Sequence, residues 1–525
     1  MKTLKTLCTL LLLSLLTVSG FSQDFLSSEQ PEAVENQLFG FSVSVGEWNA
    51  IATAPQKDIG DKKAVGSAFF YIRMGENWEI QQEVSPDGLP SSSNFGLSSK
   101  ISFDQAFIGS LGSENGILMQ ESVFVYQPND TSWIHTQTLR PNDAKMGSRF
   151  GSALDMNRIY DLSVIGAYQA DGNDSKSGAA YIFELENNEW IQTAKLVASD
   201  GEANDFFGHS VLLLSENLVA VGAYNATGAS ERSGAVYIFE KDMEGNWSQA
   251  AKLYDPNGSS SDLFGYSLAK QLQVFVLVKD AVHDFHGALF VGTPGSNNPE
   301  GVQTGSVYFF NKDNEQWFMS TEFFDETSGA NDHFGISIAQ SDLAGLLIGA
   351  NRSGFENEGK IHHYGIYETD GFPNDFEVFS FPGNSENSEY YGTRVSTGQS
   401  GDILISSPFT TVDGLENVGH VEFYAYELLS TDEPLGEVIE YKLDQNYPNP
   451  FNPNTTISYQ VRDAGNVTLT VFNILGQAVQ VLVDEYKVNG TYNARFDASG
   501  LASGFYFYTL EVNDFTSTKK MMLIK

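Results

Sequence analysis

Four carboxylates recur at one place in a repeated pattern. Asp205, Asp262, Asp332 and Glu389 each stand two residues before an aromatic-glycine pair, at Phe207-Gly208, Phe264-Gly265, Phe334-Gly335 and Tyr391-Gly392. Acids brought together from successive repeats would repel one another, and a bound cation or a cationic ligand group would relieve the repulsion. Each could instead cap its own turn by accepting hydrogen bonds from nearby backbone. A second group, Asp280, His283, Asp284 and His286, mixes the imidazole and carboxylate ligands that zinc or manganese uses, but its spacing follows no metal-ligand pattern and reads as the polar tip of a lengthened hairpin. No GxSxG elbow, HExxH zinc site, glycine-rich phosphate loop or EF-hand loop is present, so no catalytic residue is assigned.

The elements that must position these groups are repeats. The aromatic-glycine pair opens units at Phe39, Phe95, Phe150, Phe207, Phe264, Phe334 and Tyr391. The steps between them are nearly equal, except that the one from Phe264 to Phe334 is longer. One unit is used seven times and the fifth is lengthened. The fourth unit holds four short runs rich in β-branched and aromatic residues, Gly208 to Leu214, Leu218 to Ala223, Ala235 to Phe239 and Trp247 to Leu253. Each is of strand length. Four such strands form an antiparallel meander whose faces neighbouring units must cover, which predicts an all-β chain with a seven-bladed β-propeller of four-stranded blades.

The recurring aromatics read as core. Trp78, Trp133, Trp190, Trp247 and Trp317 all stand at the same distance before the next Phe-Gly, and Val84, Leu139, Leu196, Leu253 and Phe323 follow them at another fixed distance. Constancy of that kind fixes strand register. The glycine after each Phe suits a crowded backbone, and the Phe a wedge between blades.

Phe207-Gly208, Val221-Gly222-Ala223 and Gly234-Ala235-Val236-Tyr237 resemble the FG-GAP repeats of integrin α-subunit propellers and many bacterial surface proteins. The resemblance spans about residues 38 to 426 and implies the propeller fold. It also implies calcium in those repeats that place a DxDxDG-type loop after Phe-Gly. This chain has LSEN at Leu214 to Asn217 and DMNRIYD at Asp155 to Asp161, which lack the alternating oxygen ligands, so no cofactor is expected.

The chain has 525 residues and a formal charge of -38. Such acidity repels phosphate backbones and argues against nucleic-acid binding. Residues 1–22 carry Lys2 and Lys5, an apolar stretch from Leu7 to Val18, and small Gly20 and Ser22 before Gln23, which reads as a secretory signal peptide. Cys8 would leave with it, so the mature chain is expected to have no disulfide or thiolate site. No later apolar run is long enough to span a bilayer, and no transmembrane segment is expected.

In a meander the connections from strand 2 to 3 and from strand 4 to the next blade share one end, the 1–2 and 3–4 turns the other. The first set is long and polar, so a loop-borne ligand site is expected there. The insertion between strands 1 and 2 of the fifth unit falls on the opposite face. The seventh unit runs out of pattern after His420 to Tyr426, and the constant Trp-to-Phe distance, counted back from Phe39, reaches Ser22. Gln23 to Ser28 is therefore expected to supply the missing outer strand, with Glu437 to Tyr441 as the rival.

After residue 427 the rhythm stops. Residues 428–440 read as a linker, and 441–525 as a small β-sandwich, with alternation at Val467, Leu469 and Val471 and at Phe505, Phe507 and Thr509. Asn446-Tyr447-Pro448-Asn449-Pro450-Phe451-Asn452-Pro453, Phe472-Asn473-Ile474-Leu475-Gly476-Gln477, Ser503-Gly504-Phe505-Tyr506-Phe507-Tyr508 and Lys520 to Lys525 resemble the type A C-terminal sorting domain of the bacterial type IX secretion system. The resemblance implies that secretion machinery as a partner, and a secreted or outer-surface location in a diderm bacterium. Two functions stay open. One is a binding or adhesion propeller at residues 23–427 for an extracellular glycan or protein. The other is a secreted polysaccharide- or peptide-degrading enzyme with a carboxylate site in the axial pocket, which no motif identifies.

Overall fold

The computed structural model describes residues 23–523 apart from 47, 75–76, 103, 112, 115–116, 119–120, 130–131, 272–275, 279–280, 284–287, 298–301, 314–315, 326–328, 342–344, 355–357, 365–377, 383–389, 399–400, 427–440, 444–445, 447–450, 452, 463–464, 474–476, 488–489, 502–503 and 514. The expected signal peptide, linker and Glu389 therefore lie outside the described residues. Every regular element among the described residues is a strand. The chain divides into two compact units, Ser22–Leu428 and one that takes in Leu429–Lys525.

In the first, consecutive strands pair antiparallel in four-stranded sets. The third set comprises Phe150–Asn157, Leu162–Ala167, Ala179–Glu186 and Glu189–Leu196, and the fourth Ser210–Ser215, Leu218–Ala223, Ala235–Lys241 and Trp247–Leu253. The first strands of the sets are Val43–Val45, Ser99–Ile101, Phe150–Asn157, Ser210–Ser215, Ser267–Lys270, Phe334–Ser341 and Arg394–Thr397. They pack against one another in that cyclic order, the last against the first, so strand 1 is innermost and lines an axis. This is a β-propeller.

The Phe-Gly pair makes the blade-to-blade joint. Phe39, Phe95, Phe150, Phe207, Phe264, Phe334 and Tyr391 are all buried, each removing an aromatic side chain from water at a gain of about 2–3 kcal/mol. Gly208 sits at φ +92°, and a Cβ there would collide with the Ala179 carbonyl oxygen. Only glycine fits that combination. The Gly that leads strand 3 is equally constrained, because a Cβ on Gly178 would collide with the Phe207 carbonyl oxygen, and Gly178 forms a parallel bridge with Phe207. Trp78, Trp133 and Trp190 are buried, as are Val84, Leu139, Leu196, Leu253 and Phe323 at the far end of strand 4. In these five units the strand 3–4 pairing carries a bulge between the two, at Gln81, Thr136, Thr193, Ala250 and Ser320. The repeated irregularity explains how a constant spacing keeps both ends of strand 4 on the core.

The ring closes with the N-terminal segment. Gln23, Asp24, Phe25 and Leu26 pair antiparallel with Tyr426, Ala425, Tyr424 and Phe423, and Ser27 and Ser28 continue parallel to Asn77 and Trp78 of the first set. Residues 437–440 of the rival segment lie outside the described residues. The fifth-unit insertion forms a hairpin, Val276–Val278 with Ala281–His283, between strands 1 and 2. Of the four residues read as its polar tip, only His283 is among the described ones.

The C-terminal unit is a sandwich. One sheet pairs Lys442–Leu443, Asn454–Val461 and Gly490–Asp497, the other Ala478–Lys487, Gly465–Phe472, Gly504–Val512 and Phe515–Leu523. Val467, Leu469 and Val471 are fully buried. The alternation expected at Phe505, Phe507 and Thr509 is off by one. Tyr506, Tyr508, Leu510 and Val512 face the core and Phe505 is 47% exposed. Both faces of this strand carry aromatics, so hydrophobicity alone does not orient it.

Candidate ligand site at the axial mouth

The loop that leads into each strand 1 folds the same way in every unit. The residue before the aromatic is left-handed seven times, at Leu38, Asn94, Arg149, Phe206, Leu263, His333 and Tyr390, with φ between 47° and 64°. Asn204, Ser261 and Asn331, two residues earlier, are left-handed too. Each described acid of the expected ring sits between two such residues. Asp205 accepts a hydrogen bond from the Glu202 amide (2.8 Å), Asp262 from Ser259 (2.5 Å) and Asp332 from Gly329 (2.8 Å). All three are buried, and Gln37, Ser93 and Ser148 are buried at the matching place in the first three units. The position thus builds a turn in units with and without a charge. Burial pushes the Asp205 carboxyl up, and that of Asp262 up to about 6. No group of three His, Cys, Asp or Glu is placed to hold a metal among the described residues.

The turn that would hold calcium in the resembled repeats is closed by a cation of the chain itself. In the third unit Arg158 ion-pairs with Asp161 and with Asp104 of the second (2.9 Å), while Asn157 Oδ1 accepts the Ile159 amide (2.8 Å). A divalent ion would have to displace the guanidinium, so these residues do not fit calcium.

At the inner rim of the face carrying the 2–3 and 4–1 loops, the geometry gathers a different set. Gly208 N donates to Gly222 O (3.0 Å), which brings the residues flanking Phe207-Gly208 beside those following Gly222-Ala223. Tyr168, Phe206, His209, Tyr224 and Tyr266, from the third to fifth units, form one half-buried aromatic cluster. The His209 ring lies 4.5 Å from Tyr224 and 4.7 Å from Tyr266, and Phe206 lies 5.7 Å from Tyr168 and 5.4 Å from Tyr224. Burial, helped by Arg394 of the seventh unit, holds the His209 imidazole down to about 4, so it is neutral near pH 7. Its Nδ1 is buried with no hydrogen-bond partner among the described residues. Burial raises the Tyr224 phenol to about 12. Below the rim, Asp155 pairs with Lys100 (2.8 Å) and accepts the Leu213 amide (2.8 Å), and Lys270 donates to the Leu213 carbonyl (3.2 Å). Burial raises the Asp155 carboxyl, but Lys100 and Lys270 outweigh it and leave it below the ordinary range.

Sequence reasoning passed over these aromatics because their positions vary from unit to unit. The variation was itself the signal, since positions that build the scaffold repeat.

Comparison with known families matches an FG-GAP repeat at residues 133–183 and again at 190–239, and a secretion system C-terminal sorting domain at 445–525. The chain carries FG-GAP repeats and a type IX sorting domain. Each matched FG-GAP segment starts at the outer strand of one blade and runs through the first three of the next. The sequence repeat is thus offset from the blade by one strand, which is why one strand must come from the far end of the chain. The sorting domain marks the chain for export to the outer surface or for secretion. No helix among the described residues is long and apolar enough to cross a membrane.

Among solved structures, PorZ, a surface component of the type-IX secretion system of Porphyromonas gingivalis, aligns over 90% of this chain at 12% identity and TM-score 0.35. The chain spans 64% of its length. The periplasmic gluconolactonase PpgL of Pseudomonas aeruginosa aligns over 65% of this chain and 84% of its own, at 12% identity and TM-score 0.40. The β-propeller domain of the Trilobed protease of Pyrococcus furiosus aligns over 79% and 98%, at 10% identity and TM-score 0.41. No curated protein matches the chain.

Proposed function

We propose that this chain is an exported binding propeller of seven blades. Its ligand, an extracellular glycan or protein, seats at the axial mouth on the face carrying the 2–3 and 4–1 loops, and no metal takes part. The half-buried cluster of Tyr168, Phe206, His209, Tyr224 and Tyr266 carries this reading. Aromatic rings left partly open to water beside neutral imidazole offer stacking surface to a sugar face or an apolar side chain.

The test is an array of glycans and matrix proteins probed with the mature chain, beside a hydrolase screen. A ligand whose binding falls at least about tenfold in Tyr224→Ala/Tyr266→Ala, and is unchanged in Ile159→Ala on a 1–2 turn of the other face, supports the reading. A ligand indifferent to the tyrosine pair, or turnover of an array substrate, would overturn it. Chelation of divalent ions is expected to leave binding unchanged.

A further inference from the structure

The seven first strands hold four charged residues, Lys100, Asp155, Lys270 and Arg394. Three are basic, against 67 acids and 29 Lys and Arg in the whole chain. The innermost strands therefore reverse the sign of the chain as a whole.

Arg394 is the group free to act. It occupies the third position after the aromatic, where Ser98, Ser210, Ser267 and Ser337 stand in other units. Those hydroxyls donate across the joint to glycine carbonyls of the next blade, at 2.5, 2.7, 2.7 and 2.8 Å. Arg394 makes no such tie. Its Nη1 donates to the Thr393 carbonyl (2.9 Å), and among the described residues no carboxylate pairs with it. Lys100 is paired with Asp155 and Lys270 is bonded to Leu213. Arg394 lies in the seventh unit, opposite His209 of the fourth across the ring, and its charge is felt by that imidazole. The guanidinium thus stands at the start of an innermost strand, at the level of His209 in the fourth unit and within reach of its charge.

We propose that the axial mouth takes an acidic saccharide, its carboxylate held by Arg394 and its ring lying against His209, Tyr224 and Tyr266. A guanidinium matches a carboxylate with two parallel hydrogen bonds, and the aromatic wall suits the C–H face of a pyranose. Below the rim Lys100 and Lys270 outnumber Asp155 by one charge, which favours the same sign of ligand, while the acidic exterior rejects long polyanions and selects short or terminal uronate units. This inference rests on the binding reading above.

The experiment titrates the mature chain with an oligogalacturonate tetramer and with cellotetraose, by calorimetry and by NMR of the His209 ring. The tetrauronate is expected to bind at least about tenfold more tightly and to shift the His209 signals saturably. Arg394→Gln should abolish the preference and Arg394→Lys restore part of it. Equal binding of the two sugars, unshifted His209 signals in the wild-type chain, or undiminished uronate binding by Arg394→Gln would overturn the inference. So would displacement of the uronate by inorganic sulfate at equal concentration, which would mark a simple anion site. A ligand lost in Tyr224→Ala/Tyr266→Ala but untouched by Arg394→Gln sinks the acidic saccharide and leaves the binding reading standing. A ligand untouched by both sinks the two together.

Discussion

The joint between the first two blades and the seam between the seventh and the first are built alike and the chain crosses both, but only at the seam does one blade hold strands from both ends of the propeller. At the interior joint Trp133 stacks on Phe70 of the preceding blade, with centroids 4.5 Å apart and rings 10° from parallel. At the seam Trp78 stacks on Phe423, at 4.7 Å and 18°. The parallel Gly–Phe bridge recurs too, Gly178 with Phe207 in the interior and Gly419 with Phe39 at the seam. What differs is where the outer strand comes from. The seventh blade takes Gln23 to Leu26 as the outer partner of the last strand, and Arg73 Nη1 donates to both oxygens of the fully buried Asp402 at 2.6 and 2.7 Å, where the interior joints use Lys241 with Glu184 and Lys312 with Glu240. A closed ring thus needs the same packing at every joint, and in the blade assembled from both ends of the chain, strand pairing alone replaces the missing turn between its third and fourth strands.

Removing residues 23–28 should break the seam alone, and the effect should be the largest. Leu26 leaves the core and the last strand loses its outer partner. Calorimetry should show the propeller transition fall by roughly 10 °C or more. An unchanged transition would mean that the seam is closed by other means.

Gly178→Ala and Gly419→Ala ask whether the two kinds of joint are equivalent. Each Cβ would collide with a phenylalanine carbonyl oxygen, at φ of 97° and 88°. Denaturant unfolding should show each costing about 3–5 kcal/mol. If the seam glycine costs far less, that joint already opens in the native chain.

Arg73→Met tests the ionic fastening. It removes a guanidinium from a carboxylate with no exposed surface, at an expected cost of about 2–4 kcal/mol. The double variant with Asp402→Asn should recover part of the loss, because the uncompensated charge is then gone.

The smallest effect separates the joints by pH. Asp262 keeps its proton to about pH 6 in the folded chain, against an ordinary value of 3.8, because burial disfavours the anion. Over pH 4 to 6 the folded chain therefore holds a proton that the unfolded chain has lost, and stability falls as pH rises through that window and is level above it. Asp262→Asn lacks this component and should gain on the wild type by about 1–2 kcal/mol between pH 4 and pH 7. Gln37, at the same place beside the seam, has nothing to titrate. Gln37→Glu should keep the wild-type profile if its turn tolerates the charge without burial, and should steepen the profile over pH 4 to 6 if it buries it.

The repeat length, the wedge at Phe207, the tight glycine at Gly208, the register set by Trp190 and Leu196, and closure by Gln23 to Ser28 could all be read from the chain. Each follows from spacing, and spacing is preserved because every blade solves the same packing problem. The facing of Phe505 could not be read, since both sides of its strand are aromatic. The axial site was equally hidden. His209 and Arg394 lie far apart in the sequence but stand at the same level of the ring in the fourth and seventh units, near enough for the charge of one to be felt by the other, and their neighbours in the chain give no hint of it. The carboxylates at 205, 262 and 332 showed the converse, a periodic charge pattern whose described members turn inward to their own backbone. Local repetition determines the blade, whereas the ring decides which non-repeating side chains meet at the axis, because only closure brings the third, fourth, fifth and seventh units within reach of one another.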